Sequence, residues 1–147
     1  MAIMKDKTWE RHSNPWSVWT RVLTYPLVYL PVWNRSWLQA VSVGAWFLVN
    51  PRLFPPPEDG SSWATRSVLG EQLWTRKNHA DLPMAQNVLS GLSFLVALQS
   101  AYTHRLGRLV SFGGLALAFK LWFQERMVGY YEEHRPHPWW RRLLGGE

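Results

Sequence analysis

Long apolar runs alternate with short polar or basic breaks along this chain, and four of the runs read as helices. The first extends from Trp16 to Trp33, after Ser13-Asn14-Pro15. Ser or Asn ahead of a proline at the first helical position is a helix start. Pro26 and Pro31 lie inside this run; they would break a helix in water, but a membrane helix tolerates them as kinks. Asn34-Arg35-Ser36 makes a turn, and a second apolar run follows from Trp37 to Val49, closed by Asn50-Pro51. Both runs are short against the roughly 20 residues of a full span. They either cross the bilayer with tilt and snorkelling ends or form a hairpin that enters without crossing. The third run, Met84 to Tyr102, contains no charged residue, and Ser90, Gly91 and Ser93 are small enough for close helix contact. The fourth runs from Leu109 to about Val128 behind the basic turn Thr103 to Arg108, with Gly113, Gly114 and Ala116 as a small-residue face. Lys120 interrupts it, near enough to the predicted end to snorkel out.

The pattern therefore predicts an all-α fold in one membrane domain. It comprises a tail (1–13), a helical hairpin (16–50), a polar loop (51–83), a second hairpin (84–128) and a tail (129–147). In the loop, Phe54-Pro55-Pro56-Pro57-Glu58-Asp59-Gly60 is a stiff stretch ending in a turn. Ser61 or Ser62 then caps a helix from Trp63 to about Lys77. A wheel puts Trp63, Gly70, Leu73, Trp74 and Lys77 on one side, with Arg66 at its edge. Thr65, Val68, Gln72 and Thr75 lie opposite. Such a basic, Trp-bearing helix suits either the interface plane or packing on the rest of the protein.

Composition sharpens this picture. Eleven Trp is a high number for 147 residues, and Trp16, Trp19, Trp33, Trp37, Trp122, Trp139 and Trp140 border the apolar runs. Tryptophan favours the membrane–water boundary, where its ring is half buried and its N–H stays wet. The mean hydropathy of −0.22 is depressed by the Trp, Tyr and Pro content and by the polar tails and loop. Residues Met1 to Arg21 lack the continuous apolar core of a signal peptide, so no cleaved leader is expected. The chain has no Cys, which excludes disulfides, thiolate nucleophiles and Cys-based metal sites.

The net charge of +6 comes from 16 Lys and Arg against 10 Asp and Glu. With four crossings, the tails and central loop share one side. That side carries twelve of the basic residues: Lys5, Lys7, Arg11, Arg21, Arg52, Arg66, Arg76, Lys77, Arg126, Arg135, Arg141 and Arg142. The opposite turns carry Arg35, Arg105 and Arg108. This asymmetry predicts cytoplasmic termini, with Pro138-Trp139-Trp140-Arg141-Arg142 as a surface anchor. The basic residues flank apolar runs rather than lining one helix face, so no nucleic-acid partner is expected.

Four blocks fall at the same face in the four-span arrangement: His12 to Trp16, Asn50 to Pro57, Trp63 to Trp74 and Lys120 to Glu132. Together these blocks resemble those of a family of small prokaryotic multi-spanning membrane proteins of unknown function. The resemblance covers most of the chain and is looser between Lys77 and Gln86. It implies a membrane protein and brings neither an activity nor site residues.

The charged groups at this face are Arg21, Arg52, Arg66, Glu71, Lys120, Glu125 and Arg126. As a binding site they would cradle an anionic headgroup or phosphate, since Arg offers paired donors. As structure they would form ion pairs fastening the loop to helix ends. Of the histidines His12, His79, His104, His134 and His137, only the last two are close in sequence, and Pro136 separates them, so neither metal nor haem is expected. No cofactor, catalytic pair, phosphate loop or serine elbow is recognised. The pattern points to a structural, accessory or regulatory membrane protein that binds lipid or a protein partner or self-associates. An enzyme or transporter acting on a lipid or small anion is the alternative, and an inward-pointing Lys120 would favour it.

Overall fold

The computed structural model describes residues 6–76 and 81–135. Lys5, Lys77, His79, His137, Trp139, Trp140, Arg141 and Arg142 lie outside them. The described residues contain helices and no strand. α1 (Asp6–His12) leads into α2 (Pro15–Thr24), a 3-10 segment (Tyr25–Tyr29) and α3 (Leu30–Asn34). α4 (Trp37–Leu53), α5 (Trp63–Thr75), α6 (Leu82–Tyr102) and α7 (Leu106–His134) complete the bundle.

The first predicted run is thus one kinked path. Pro26 removes the amide that an α-helix would use there, and the chain tightens into a 3-10 stretch before resuming as α3. Arg35 closes this path in the left-handed region at φ 52°, and Ser36 caps α4 by accepting from Gln39 N at 3.3 Å.

Four boundaries depart from the sequence reading. α4 runs past Asn50-Pro51 to Leu53, because proline in a last turn leaves most of the turn's bonding intact. Asn50 is fully buried there, accepting from Ser17 Oγ at 2.9 Å and donating to Thr20 Oγ1 at 2.9 Å. Residues before Ser13 are not all tail: α1 turns Trp9 into a small core with Val18, Ala64 and Val68. α6 starts at Leu82, where Asp81 accepts from Met84 N at 3.1 Å and Pro83 suits the first turn. α7 continues to His134, since the polar residues from Gln124 onward end the apolar pattern without ending the helix. Lys120 is therefore mid-helix, not near an end.

α6 and α7 form an antiparallel hairpin, and α5 packs on the C-terminal half of α7. Ser62, not Ser61, caps α5 by accepting from Thr65 N at 3.0 Å. α5 buries Ala64, Thr65, Ser67, Val68, Gly70 and Trp74, so it is packed on nearly every side. Both sides of the predicted wheel carry buried residues, Gly70 and Trp74 on one and Thr65 and Val68 on the other. Trp74 meets Phe123 edge-on at 5.4 Å, with Met127 beside them.

At the other end of the bundle the two turns dock. His104 Nε2 lies 2.9 Å from the Trp33 carbonyl, and Arg35 sits over the Tyr102 ring at 4.8 Å. Both hairpin turns therefore lie together, opposite the end occupied by α5.

α6 and α7 are long and apolar enough to cross a membrane, and only 17% of each apolar window is buried. The exposed remainder is largely aliphatic, including Val88, Leu92, Leu95, Val110 and Leu115. α2 and α4 likewise expose Leu23, Trp37, Leu38, Val41 and Leu48.

Candidate functional site

The four blocks singled out in the sequence meet at the α5 end of the bundle. Asn14 Nδ2 donates to the Pro55 carbonyl at 3.0 Å, Thr65 Oγ1 donates to the Ser13 carbonyl at 2.9 Å, and Ser17 bonds Asn50. Lys120 Nζ donates to Glu71 Oε1 at 3.1 Å. Tryptophan stacking reinforces the junction, with Trp19 on α2 lying 5.7 Å from Trp63 on α5.

Behind this junction is a cavity of about 480 Å³ between α2, α5, α6 and α7. His12, Arg21, Glu71, Lys120 and Gln124 line its polar part; Val22, Phe47, Phe94, Leu117 and Leu121 line the apolar part. Arg21 is held from three sides by neutral acceptors. Its Nε donates to the Ser17 carbonyl at 2.9 Å, its Nη1 to His12 Nε2 at 2.6 Å and its Nη2 to the His12 carbonyl at 3.1 Å. A guanidinium has five N–H groups, so two remain. Among the described residues no carboxylate forms an ion pair with Arg21. Lys120 also lies 4.5 Å from the centre of the Phe123 ring. Glu71 accepts from both Lys120 and Gln124 Nε2, the latter at 2.6 Å. Two cations thus face one carboxylate in a partly apolar enclosure.

The predicted cluster divides. Arg21, Glu71 and Lys120 share the cavity. Arg66 pairs with Glu132 along the α5–α7 seam, and Glu125 accepts from Trp63 Nε1. Arg126 lies 5.8 Å from the centre of the Trp122 ring; with its amide oxygen turned that way, buried Gln86 accepts from Arg126 Nε at 3.3 Å and from Trp122 Nε1 at 3.2 Å. Arg52 is exposed at the end of α4, and its carbonyl accepts from Arg11. Arg66, Glu125 and Arg126 link elements outside the cavity, and Arg52 is joined through its backbone carbonyl. Sequence reasoning missed His12 and Gln124 as lining residues; both fall inside the quoted blocks, but neither spacing nor charge marks them. Among the described residues no group of His, Asp and Glu is arranged to hold a metal ion.

Because Arg21 donates to His12 Nε2, the ring hydrogen sits on Nδ1, which is buried without a partner. Burial, then the positive charges of Arg21 and Lys120, lower the His12 pKa to about 3; Glu71 beyond them is the one carboxylate among the cavity's lining residues. A second proton would land on Nε2, facing the guanidinium. The folded pKa lies below the unfolded value, so this contribution to stability is complete above about pH 6.5 and is lost as pH falls toward 3. Lowering the pH from 7 to 4.5 is expected to cost about 2 kcal/mol through this group. Thermal unfolding in detergent checks it: His12→Gln should flatten the acid limb, and an unchanged limb would show that other groups govern it.

No curated protein and no solved structure matches the chain. A family model described as a family of unknown function (DUF6653) matches residues 2–138. The match spans all four blocks and every residue of the cavity, and the chain belongs to this family of unknown function.

Proposed function

We propose that this chain is a multi-pass membrane protein that binds the anionic headgroup of a lipid in the cavity at its cytoplasmic face. It acts as a structural, accessory or regulatory component. In this reading α6 and α7 each cross the bilayer. The kinked path of α2 and α3, together with α4, makes two further crossings. The docked turns carrying Arg35, Arg105 and Arg108 lie outside, while the α5 end, with most of the basic residues, faces the cell interior.

The observation that carries the binding reading is the charge imbalance of the cavity: Arg21 and Lys120 against Glu71, above an apolar floor. Half-buried cations that outnumber the carboxylate between them favour an anionic ligand, because an apolar wall strengthens their field. Native mass spectrometry from mild detergent tests it. Phosphatidylglycerol is expected to be retained in preference to phosphatidylcholine, and Arg21→Gln should abolish the preference while the protein stays monodisperse. An empty protein, or equal retention of both lipids, would overturn the reading.

A transporter or enzyme handling a small anion is the second reading. It is favoured by Lys120, whose ammonium turns to Glu71 and the cavity. It stays second because Ser90, the serine on the cavity wall, donates to the Ala116 carbonyl at 2.8 Å and has no base bonded to it.

A further inference from the structure

A second hollow of about 420 Å³ lies along the same helix. Its lining includes Tyr25, Tyr29, Leu109, Gly113, Gly114 and Leu117, and nearly all of that wall is hydrocarbon or aromatic. Tyr25 and Leu117 line both hollows, so the polar-mouthed cavity and the apolar one adjoin. They meet at these two residues, between the kinked first path and α7. From Lys120 back to Leu106 is 14 residues of α7, about 21 Å along its axis. That length fits within the roughly 30 Å of a bilayer's hydrocarbon.

Two features border the apolar hollow. The 3-10 stretch at Pro26 holds Tyr25 and Tyr29 edge to face, 5.5 Å apart, on one wall. On the opposite wall α7 presents Gly113 and Gly114. A methyl group added at Gly113 would touch the Tyr29 ring at 3.4 Å, whereas one added at Gly114 would meet nothing within 4 Å. The space beside Gly114 is therefore open, and Gly114 itself is exposed. Its polar end is positive and its far end is apolar, which is the charge and hydropathy profile of an amphiphile lying parallel to α7.

We infer that one acyl chain of an anionic phospholipid threads from the Arg21–Lys120 mouth past Tyr25 and Leu117 into the groove over Gly114. The inference rests on the headgroup reading above and adds the position of the chain. In bilayer terms the phospholipid is held at its headgroup by the two cations, and its tail replaces the side chain that Gly114 lacks.

The test uses the full chain in nanodiscs with phosphatidylglycerol carrying a photoactivatable diazirine at the end of one acyl chain, and the same probe on phosphatidylcholine. Cross-linked peptides are mapped by mass spectrometry. The phosphatidylglycerol probe is expected to label Tyr29 and Leu109 several-fold more than the phosphatidylcholine probe. Gly114→Leu, whose Cβ meets nothing within 4 Å, should remove that labelling while leaving headgroup selectivity in native mass spectrometry intact. If labelling at Tyr29 and Leu109 persists in Gly114→Leu, or the phosphatidylglycerol probe marks only the outward Leu92 and Leu95, the chain position is wrong and the headgroup reading stands. If the two probes label alike and no phosphatidylglycerol preference survives in native mass spectrometry, both fail together.

Discussion

Replacing Gly70 by alanine is expected to destabilise the protein by about 3 kcal/mol, at the upper end of what overpacking costs. A Cβ built at Gly70 falls 1.9 Å from the Met127 carbonyl oxygen and 2.7 Å from its carbon. The atoms in the way are backbone, so no rotamer change relieves them. α5 must move off α7, and the movement reaches Trp74, Phe123 and Met127, which are packed together beneath it. It also separates Glu71 from Lys120, so the cavity should lose ligand selectivity along with stability. Gly91→Ala is the matched control. Gly91 has nothing within 4 Å of an added methyl group, and alanine is the better helix former by roughly 1 kcal/mol. Thermal unfolding of the two variants in one detergent separates a close backbone contact from a general intolerance of larger residues. Equal Tm values would mean that α5 does not approach α7 this closely.

Leu92→Arg is expected to cost about 3 kcal/mol of membrane insertion, the penalty for a charged side chain at the centre of a spanning helix. Leu92 lies at the middle of α6 and is 55% exposed. In a protein surrounded by water an exposed leucine on a helix tolerates arginine within about 0.5 kcal/mol. The same substitution therefore reads out the solvent around α6. A glycosylation-tagged insertion assay should show the variant helix substantially excluded from the bilayer; wild-type insertion efficiency would place α6 in another environment.

The sequence made α6 and α7 legible because no charge falls between Met84 and Tyr102, and one charge, Lys120, breaks the apolar run from Leu109 to Phe123. It made the convergence of the four blocks legible because helices that alternate in direction fix which connections share an end. It did not reveal Asn50. Asn-Pro reads as a helix stop, and only the facing hydroxyls of Ser17 and Thr20, some 30 residues away, explain why the asparagine is buried inside a continuing helix. The length of α7 was hidden for a related reason. Gln124, Glu125 and Arg126 look like a departure from the membrane, yet α5 lies alongside and satisfies them or their neighbours through Glu71 and Trp63. Of the predicted charged cluster, Arg21, Glu71 and Lys120 came together, whereas Arg66 went to Glu132. Charge alone carries no direction, and which carboxylate an arginine meets depends on the angle at which α5 crosses α7. Gly70 was noted in the sequence only as one position on a wheel; its meaning lies in the Met127 backbone opposite it.

The central claim is that hydrocarbon surrounds these helices and that the α5 end faces the cell interior. The chain contains no cysteine, so single cysteines can be introduced one at a time and probed with a membrane-impermeant maleimide in right-side-out and inverted vesicles. The positions are Asn34, Ser61, Leu92 and Thr103. The account predicts that Asn34→Cys and Thr103→Cys react only from outside, Ser61→Cys only from inside, and Leu92→Cys from neither side. Labelling of Leu92→Cys as rapid as that of Ser61→Cys, or reaction of Ser61→Cys and Thr103→Cys from the same side, would contradict it.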